Sequence, residues 1–237
     1  SLESYPIIVR TVPGVSELAQ GNLKIDDLDL VKIDDLLGRS LVAPNQNYLR
    51  SNITNKVVMV TGSGGSIGSE LCRQIIKLNP KQIILFEQNE FSLYLIDQEL
   101  KELIGISSRI VVTSILSSVS NNVRLTQVCK NFGVQTIYHA AAYKHVPMIE
   151  LNIFSGIENN IYGTLSCAKA AIAANVETFV LISTDKAVRP TNTMGATKRL
   201  SELILQALAK LPENSKTKFS MVRFGNVLES SGSVIPK

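Results

Sequence analysis

Tryptophan is absent from the 237 residues, and aromatic side chains make up only 5% of them. No basic run interleaves with aromatics, and 24 Lys+Arg against 20 Asp+Glu leave a net charge of only +4. Nucleic acid is therefore not an expected partner. Cysteine is scarce: Cys72, Cys129 and Cys167 stand far apart, with no paired spacing for a disulfide or a metal. All three fall in helical segments, where cysteine serves as a small core residue. No metal site is expected. No apolar run reaches the roughly 18–20 residues that a membrane span needs. The first residues lack the basic start, apolar stretch and cleavage site of a signal peptide. What is present is 45% hydrophobic, enough for one core of roughly 150–200 residues. These absences and this content describe a reduced, soluble, globular chain.

Composition changes near residue 50. Before it, Ile25-Asp26-Asp27-Leu28 is nearly repeated as Ile33-Asp34-Asp35-Leu36. The apolar positions form a loose half-buried stripe, and the aspartates form a solvated face. They are not a cation loop, since the spaced oxygens and closing glutamate of a Ca²⁺ site are missing. Residues 1–50 read as a linker or N-terminal extension, with Ser51–Asn55 leading into one domain over 51–237.

From Lys56 onward, short apolar runs alternate with longer amphipathic segments. Strands are predicted at 57–61, 82–87, 109–115, 136–142, 178–184 and 218–225. Helices are predicted at 66–78, 91–103, 119–132, 157–175 and 194–211. Runs such as Val57-Val58-Met59-Val60 and Phe179-Val180-Leu181-Ile182 do not alternate, so these strands are expected to be buried on both faces. Such strands alternating with helices specify an α/β fold with a doubly wound, mostly parallel, Rossmann-like sheet. Ligands of such sheets sit beyond the carboxyl ends of the strands.

The first of those ends reads Thr61-Gly62-Ser63-Gly64-Gly65-Ser66-Ile67-Gly68. Gly62 permits a tight turn, Gly65 permits close backbone approach to a pyrophosphate, and Gly68 lets the helix pack on the strand. The helix then opens at Ser66 and Ile67 with free N–H groups and a partial positive charge. No Lys-Ser/Thr pair follows the glycines, so a P-loop is excluded. Glu87 closes the second strand, nineteen residues past Gly68, where an acid hydrogen-bonds the adenosine ribose and repels a 2′-phosphate. No Arg or Lys lies within three residues of it, so NAD is expected rather than NADP.

Three further stretches carry a resemblance. They are Ala140-Ala141-Ala142-Tyr143-Lys144-His145-Val146-Pro147, Ser183-Thr184-Asp185-Lys186-Ala187-Val188-Arg189-Pro190-Thr191-Asn192 and Arg223-Phe224-Gly225-Asn226-Val227. With the glycine turn, they resemble the extended short-chain dehydrogenase/reductases that act on nucleotide sugars. More narrowly, they resemble the UDP-N-acetylglucosamine 4,6-dehydratases of bacterial polysaccharide and glycan synthesis. The resemblance runs from about residue 56 to the last. Most short-chain enzymes have Tyr-x-x-x-Lys where this chain has Met194 and Lys198. A thioether has no ionisable proton, but the large membrane-anchored dehydratases carry methionine there too. The resemblance therefore implies a parent protein anchored at the cytoplasmic face of a membrane, a linker in residues 1–50, and self-association.

It also implies the chemistry. The C4 carbon of a UDP-sugar is oxidised, water leaves across C5–C6, and the hydride returns to C6, making the enzyme a lyase with a recycled NAD. Asp185 is implied as the acid at O6 and Lys186 as the base at C5. For those roles Asp185 needs a raised pKa and Lys186 a lowered one, which partial burial favours. Both reach one sugar only if the strand has ended at Thr184. Deprotonation of the C4 hydroxyl is left among Thr184 (with Asp185 or Lys198), Lys198 itself and Tyr143. Lys198 also lies by the nicotinamide ribose, and Ala140, Ala141 and Ala142 border the cofactor. Relatives carry Gly-Asp where this chain has Thr113-Ser114; their aspartate contacts the adenine, so Ser114, with Ile115 beside it, is implied as a weaker cofactor contact. Lys144, His145 and Asn226 are implied substrate contacts, and Asn159 a helix residue that stabilises the site.

Two other readings compete. One is a nucleotide-sugar 4-epimerase or C4 dehydrogenase, opposed by Met194. The other is a non-catalytic nucleotide-binding module, opposed by Asp185-Lys186, since a sensor needs no paired acid and base. By resemblance, relatives continue past Gly232–Lys237 into a substrate cap. The chain is accordingly expected to be a cytoplasmic piece that folds, binds NAD weakly and turns over little.

Overall fold

A computed structural model of the chain describes residues 44–105, 109–211 and 216–227. The acidic near-repeat at 25–36 and the stretch 232–237 lie outside the described residues. One compact unit begins at Gln46.

Six strands form one sheet: β1 (Val57–Thr61), β2 (Gln82–Glu87), β3 (Val111–Leu116), β4 (Thr136–His139), β5 (Thr178–Thr184) and β6 (Lys218–Phe224). All five pairings are parallel. The spatial order is β3-β2-β1-β4-β5-β6. The order therefore reverses between β1 and β4, and the crevice above that point is where an open α/β sheet takes its ligand.

The helices are α1 (Gln46–Ser51), α2 (Ser66–Ile76), α3 (Glu90–Ile104), α4 (Asn122–Phe132), α5 (Val146–Leu151), α6 (Ile153–Gly156), α7 (Gly163–Ala173) and α8 (Thr193–Ala209). Side-chain caps set several starts. Asn89, Asn121 and Asn192 accept from the backbone N–H of Ser92, Arg124 and Gly195, each satisfying a donor that the first helical turn leaves open. The Asn121 cap explains why α4 begins three residues later than its apolar pattern suggests. Gly133, at φ +62°, closes α4 in the left-handed conformation.

Two cores sandwich the sheet. Val58, Val60, Ile83 and Leu85 pack on one face with Cys72, Ile75, Leu93 and Leu100. Met59, Ile84, Phe86, Ile137, Phe179 and Leu181 pack on the other with Leu125, Cys129, Cys167 and Leu205. The three cysteines are buried free thiols, and burial pushes Cys129 up to about 12.

Some expectations change. β1 is buried throughout, but β5 alternates, with Phe179, Leu181 and Ser183 buried and Val180 and Ile182 partly open. Among the described residues, the first core stops at Tyr138 of β4, and they cover only one face of β5 there. β4 ends at His139, releasing Ala140–Ala142 as loop. The expected linker at 51–55 is built into the domain: Ile53 is buried, Thr54 bonds the Leu78 carbonyl, and Thr136 bonds the Asn52 carbonyl. Helices α5 and α6 were not expected, because the Pro147, Asn152 and Gly156 breaks disguise their short apolar stretches. Among the described residues, no helix is long and apolar enough to cross a membrane, and no cluster of His, Cys, Asp or Glu suits a metal.

Candidate active site

The glycine turn joins β1 to α2 at the reversal point. Gly62 sits at φ +68°, and a Cβ there would stand 2.6 Å from the Ala141 Cα. A Cβ on Gly68 would lie 1.9 Å from the Gly62 carbonyl oxygen. Backbone conformation and packing thus demand glycine at both positions. Gly65 is different. Its φ of −75° suits any residue, and an added Cβ would meet only the Gly62 oxygen, at 3.4 Å. Neither strain nor packing requires the missing side chain, but the adjoining cleft does. Gly65 lines a cavity of about 410 Å³ and a second of about 240 Å³, and as the residue that opens α2 it brings no side-chain cap. An open helix N-terminus above a cradle that a methyl group would fill fits a dinucleotide pyrophosphate.

Glu87 walls the smaller cavity, and its carboxylate also braces the turn. Oε2 accepts from Gly64 N–H at 3.1 Å, and Oε1 accepts from Gln88 and Asn89 N–H at 2.9 and 3.0 Å. The two cavities share Gly65, Ala140, Ala142 and Tyr143. Ser66, Ile67, Gly68, Lys144 and His145 line the larger one. Gly62 and Ala141 line the smaller. Ser114 and Ile115 line neither. The Ser114 hydroxyl donates to Asp97 at 2.7 Å, and Ile115 is buried in the core. At that strand end it is Ser117 and Val119 that reach the cavity.

The strand β5 ends at Thr184, as shared access to one sugar requires, and Asp185–Ala187 turn in a single 3₁₀ helix. Thr184 Oγ1 donates to Asp185 Oδ1 at 3.0 Å and accepts from the Lys186 backbone N–H at 3.3 Å. Lys186 Nζ stands 3.3 Å from Asp185 Oδ1 and 2.9 Å from Asn226 Oδ1. Asp185, Lys186, Thr184 and Asn226 therefore form one cluster. The pKa expectation for Asp185 is reversed. Its side chain is 58% exposed, and the Thr184 hydroxyl and Lys186 ammonium hold its carboxyl below the usual range. Burial is too slight here to raise it.

Met194 and Lys198 lie on α8 and are 4% and 5% exposed. Burial pulls the Lys198 ammonium down to about 8 against the opposing pull of Glu202, and it makes no hydrogen bond among the described residues. The start of α8 presses on the 3₁₀ turn: a Cβ on Gly195 would meet the Lys186 carbonyl oxygen at 2.3 Å. None of Thr184, Asp185, Lys186, Met194 and Lys198 lines either of the two cavities.

A buried hydrogen-bond chain connects the turn, the cavity loop and α8. His139 Nδ1 is 2.7 Å from Thr61 Oγ1, and Nε2 is 3.1 Å from Thr164 Oγ1. Thr164 donates its one hydroxyl proton to the Asn160 carbonyl at 2.6 Å. Nε2 must therefore carry the imidazole proton, and Thr61 donates to Nδ1. Burial, then the Lys198 charge, lowers His139 to about 3, so it is neutral. Asn160 sits in a π turn (Ile157–Tyr162), a geometry common at functional sites. Its side chain bonds both the N–H and C=O of Tyr143 and the Thr197 hydroxyl. Asn159, singled out in the sequence, is buried and donates to Asn160 at 3.2 Å. His139 and Asn160 escaped the sequence reading. The available signal was a polar residue ending an apolar strand and a second asparagine beside the first.

Residues 58–237 match the family described as polysaccharide biosynthesis protein. The chain is 47% identical, over 95% of its length, to the capsular polysaccharide biosynthesis protein CapD of Staphylococcus aureus, of which it covers 37%. It is 32% identical to a UDP-N-acetylglucosamine 4,6-dehydratase (inverting) of Campylobacter jejuni, across 76% of this chain and 52% of that one. It is 33% identical to a UDP-glucose 4-epimerase of Rickettsia bellii, across 77% and 52% respectively. The solved structure of Pen from Bacillus thuringiensis superposes with a TM-score of 0.69 at 33% identity, covering 77% of this chain and 56% of that one. The chain thus spans about half, or less, of the length of these relatives. By the match over 58–237, it belongs to the polysaccharide biosynthesis protein family.

Proposed function

We propose that this chain carries the cofactor half and the acid–base cluster of an NAD-dependent UDP-N-acetylglucosamine 4,6-dehydratase. The observation that carries the reading is the cluster at the end of β5, where the Asp185 carboxylate meets both the Thr184 hydroxyl and the Lys186 ammonium, beside the helix that bears Met194 and Lys198. The dinucleotide is held by Gly62, Gly65 and Gly68, the Ser66–Ile67 end of α2, Glu87 and Ala140–Ala142. When bound, NAD serves as the temporary store for one hydride.

The chain's own groups move protons. Thr184 takes the C4 hydroxyl proton and passes its own to Asp185, along the 3.0 Å bond it already makes. A carboxyl held low in the resting site is ionised and ready to receive that proton. Asp185 then gives it to O6, which leaves as water. Lys186 first releases its ammonium proton to solvent; as the free amine it takes the C5 proton and returns it after water has gone. One hydroxyl proton and one hydroxide make the water, so the proton count closes. Lys198, lowered by burial, supports the oxidised C4 oxygen. Lys144, His145 and Asn226 contact the nucleotide sugar, and the whole protein self-associates and is membrane-anchored.

The 4-epimerase reading rests on the Rickettsia relative. It needs a base at C4 and no acid at O6, so it leaves Asp185-Lys186 without work. The complete gene product, incubated with NAD⁺ and UDP-N-acetylglucosamine, is expected to yield a sugar nucleotide lighter by one water in mass spectrometry. Unchanged mass with a new C4 isomer would replace dehydration by epimerisation.

A further inference from the structure

One fully buried carboxylate, unused in those steps, ties together the three segments that perform them. Glu202 lies on α8, one turn beyond Lys198, and is 0% exposed. Its Oε1 accepts from the Ser183 hydroxyl at 2.6 Å and from Arg223 Nε at 2.7 Å. Its Oε2 accepts from Arg223 Nη2 at 2.5 Å and from Arg199 Nη1 at 3.0 Å. Burial alone would raise this carboxyl, but Arg223, Ser183 and Arg199 outweigh it and hold it at about 2.

The partners are placed tellingly. Ser183 immediately precedes Thr184-Asp185-Lys186, and Arg223 stands three residues before Asn226, which receives the Lys186 ammonium. Buried ion clusters are weak sources of stability, because well-packed apolar side chains of equal volume do as well. What this one supplies is direction, since a carboxylate with two guanidinium partners fixes each of them in angle as well as distance.

We propose that Glu202 is a positioning residue: it registers the ends of β5 and β6 against α8, so that Lys186, aimed by Asn226, and Lys198 address the same bound sugar. The assignment rests on the dehydratase reading above. The ionisable groups facing Lys198 are Glu202 on its own helix and His139 from β4.

Glu202→Gln removes the charge and keeps the size. Trace acetylation with isotope-coded acetic anhydride across pH, read lysine by lysine in the folded protein by mass spectrometry, requires no turnover. It therefore fails or succeeds independently of the dehydratase reading. In Glu202→Gln, Lys186 is expected to label about threefold faster as Asn226 drifts from it. The Lys198 midpoint should fall below that of the parent, because the anion opposing its desolvation is gone. Lys130 and Lys169 serve as unchanged controls. In the complete gene product, kcat should drop roughly 10–100-fold while KM stays within about twofold, as for a misaimed group. Unaltered labelling of Lys186 and Lys198 in folded Glu202→Gln would overturn the proposal, whatever the activity. If that variant does not fold, Ser183→Ala cuts only the link to β5. Faster labelling at Lys186 then supports the proposal, and an unchanged rate overturns it.

Discussion

The ends of β1 and β5 stand on the same sheet and are built on opposite principles. At the end of β1, sterics dictate the sequence: Gly62 and Gly68 are required by a positive φ and by atoms within 2.6 and 1.9 Å. At the end of β5, nothing is sterically forced on Thr184, Asp185 or Lys186. They are exposed or half-exposed and hydrogen-bonded to one another, and on the proposed reading they are there for what they do to a substrate. The comparison separates two kinds of functional residue. One kind shapes the backbone and costs stability when changed, and the other can be changed with the fold intact.

Gly65 tests that boundary, since it belongs to the first region by position and to the second by environment. Gly68→Ala should be the most damaging change in the domain, lowering stability by about 4 kcal/mol or preventing folding, as measured by urea denaturation. Gly65→Ala should cost under about 1 kcal/mol, because its φ is ordinary and its Cβ meets little. It should nevertheless weaken dinucleotide binding at least tenfold by calorimetry; equal binding would remove the pyrophosphate from that cradle. At the other strand end, Lys186→Ala should lower dehydration roughly 10²–10⁴-fold in the complete gene product, with thermal unfolding unchanged. A parallel fall in melting temperature would mean that Lys186 holds the fold rather than the substrate.

Between the two regions runs the His139 chain, and its titration has a definite sign. The folded imidazole sits near 3, below its ordinary 6.5. The unfolded chain therefore takes up the proton first, and stability present above pH 6.5 is lost as pH falls from there toward 3. The loss amounts to about 1.4 kcal/mol per pH unit for one such group. Chemical denaturation at pH 7 and pH 5, compared with His139→Asn, should show it; equal slopes would remove His139 from the buried chain. A further small effect lies at Ser63, whose buried hydroxyl has no partner among the described residues. Ser63→Ala should raise stability by about 1 kcal/mol, and a loss would reveal a hydrogen bond there.

The same contrast governs what could be read from the sequence. The sheet and the glycine turn were legible because hydrophobic runs and obligatory glycines are local signals: β1, β2 and β5 have the expected bounds. Asp185-Lys186 was expected from a stretch of matching residues, and its position at the end of β5 is as expected, but the electrostatics of Asp185 are not. Exposure depends on what covers β5, and the order of residues does not encode that directly. Ser114 looked like an adenine contact by position, but Asp97 on α3 claims its hydroxyl, a partner seventeen residues away. Asn160 and Glu202 were invisible for a related reason. Each works by joining segments that come together only in the fold, and one asparagine of a pair or an i, i+4 glutamate on a helix reads as ordinary.

The most direct test of the whole account follows one deuterium. UDP-N-acetylglucosamine labelled at C4 is incubated with NAD⁺ and the complete gene product, and the product is read by mass spectrometry and NMR. Dehydration through Thr184, Asp185 and Lys186 predicts a product lighter by one water, with the label moved to C6. A product of unchanged mass, or a dehydrated one that has lost the label to solvent, would contradict it.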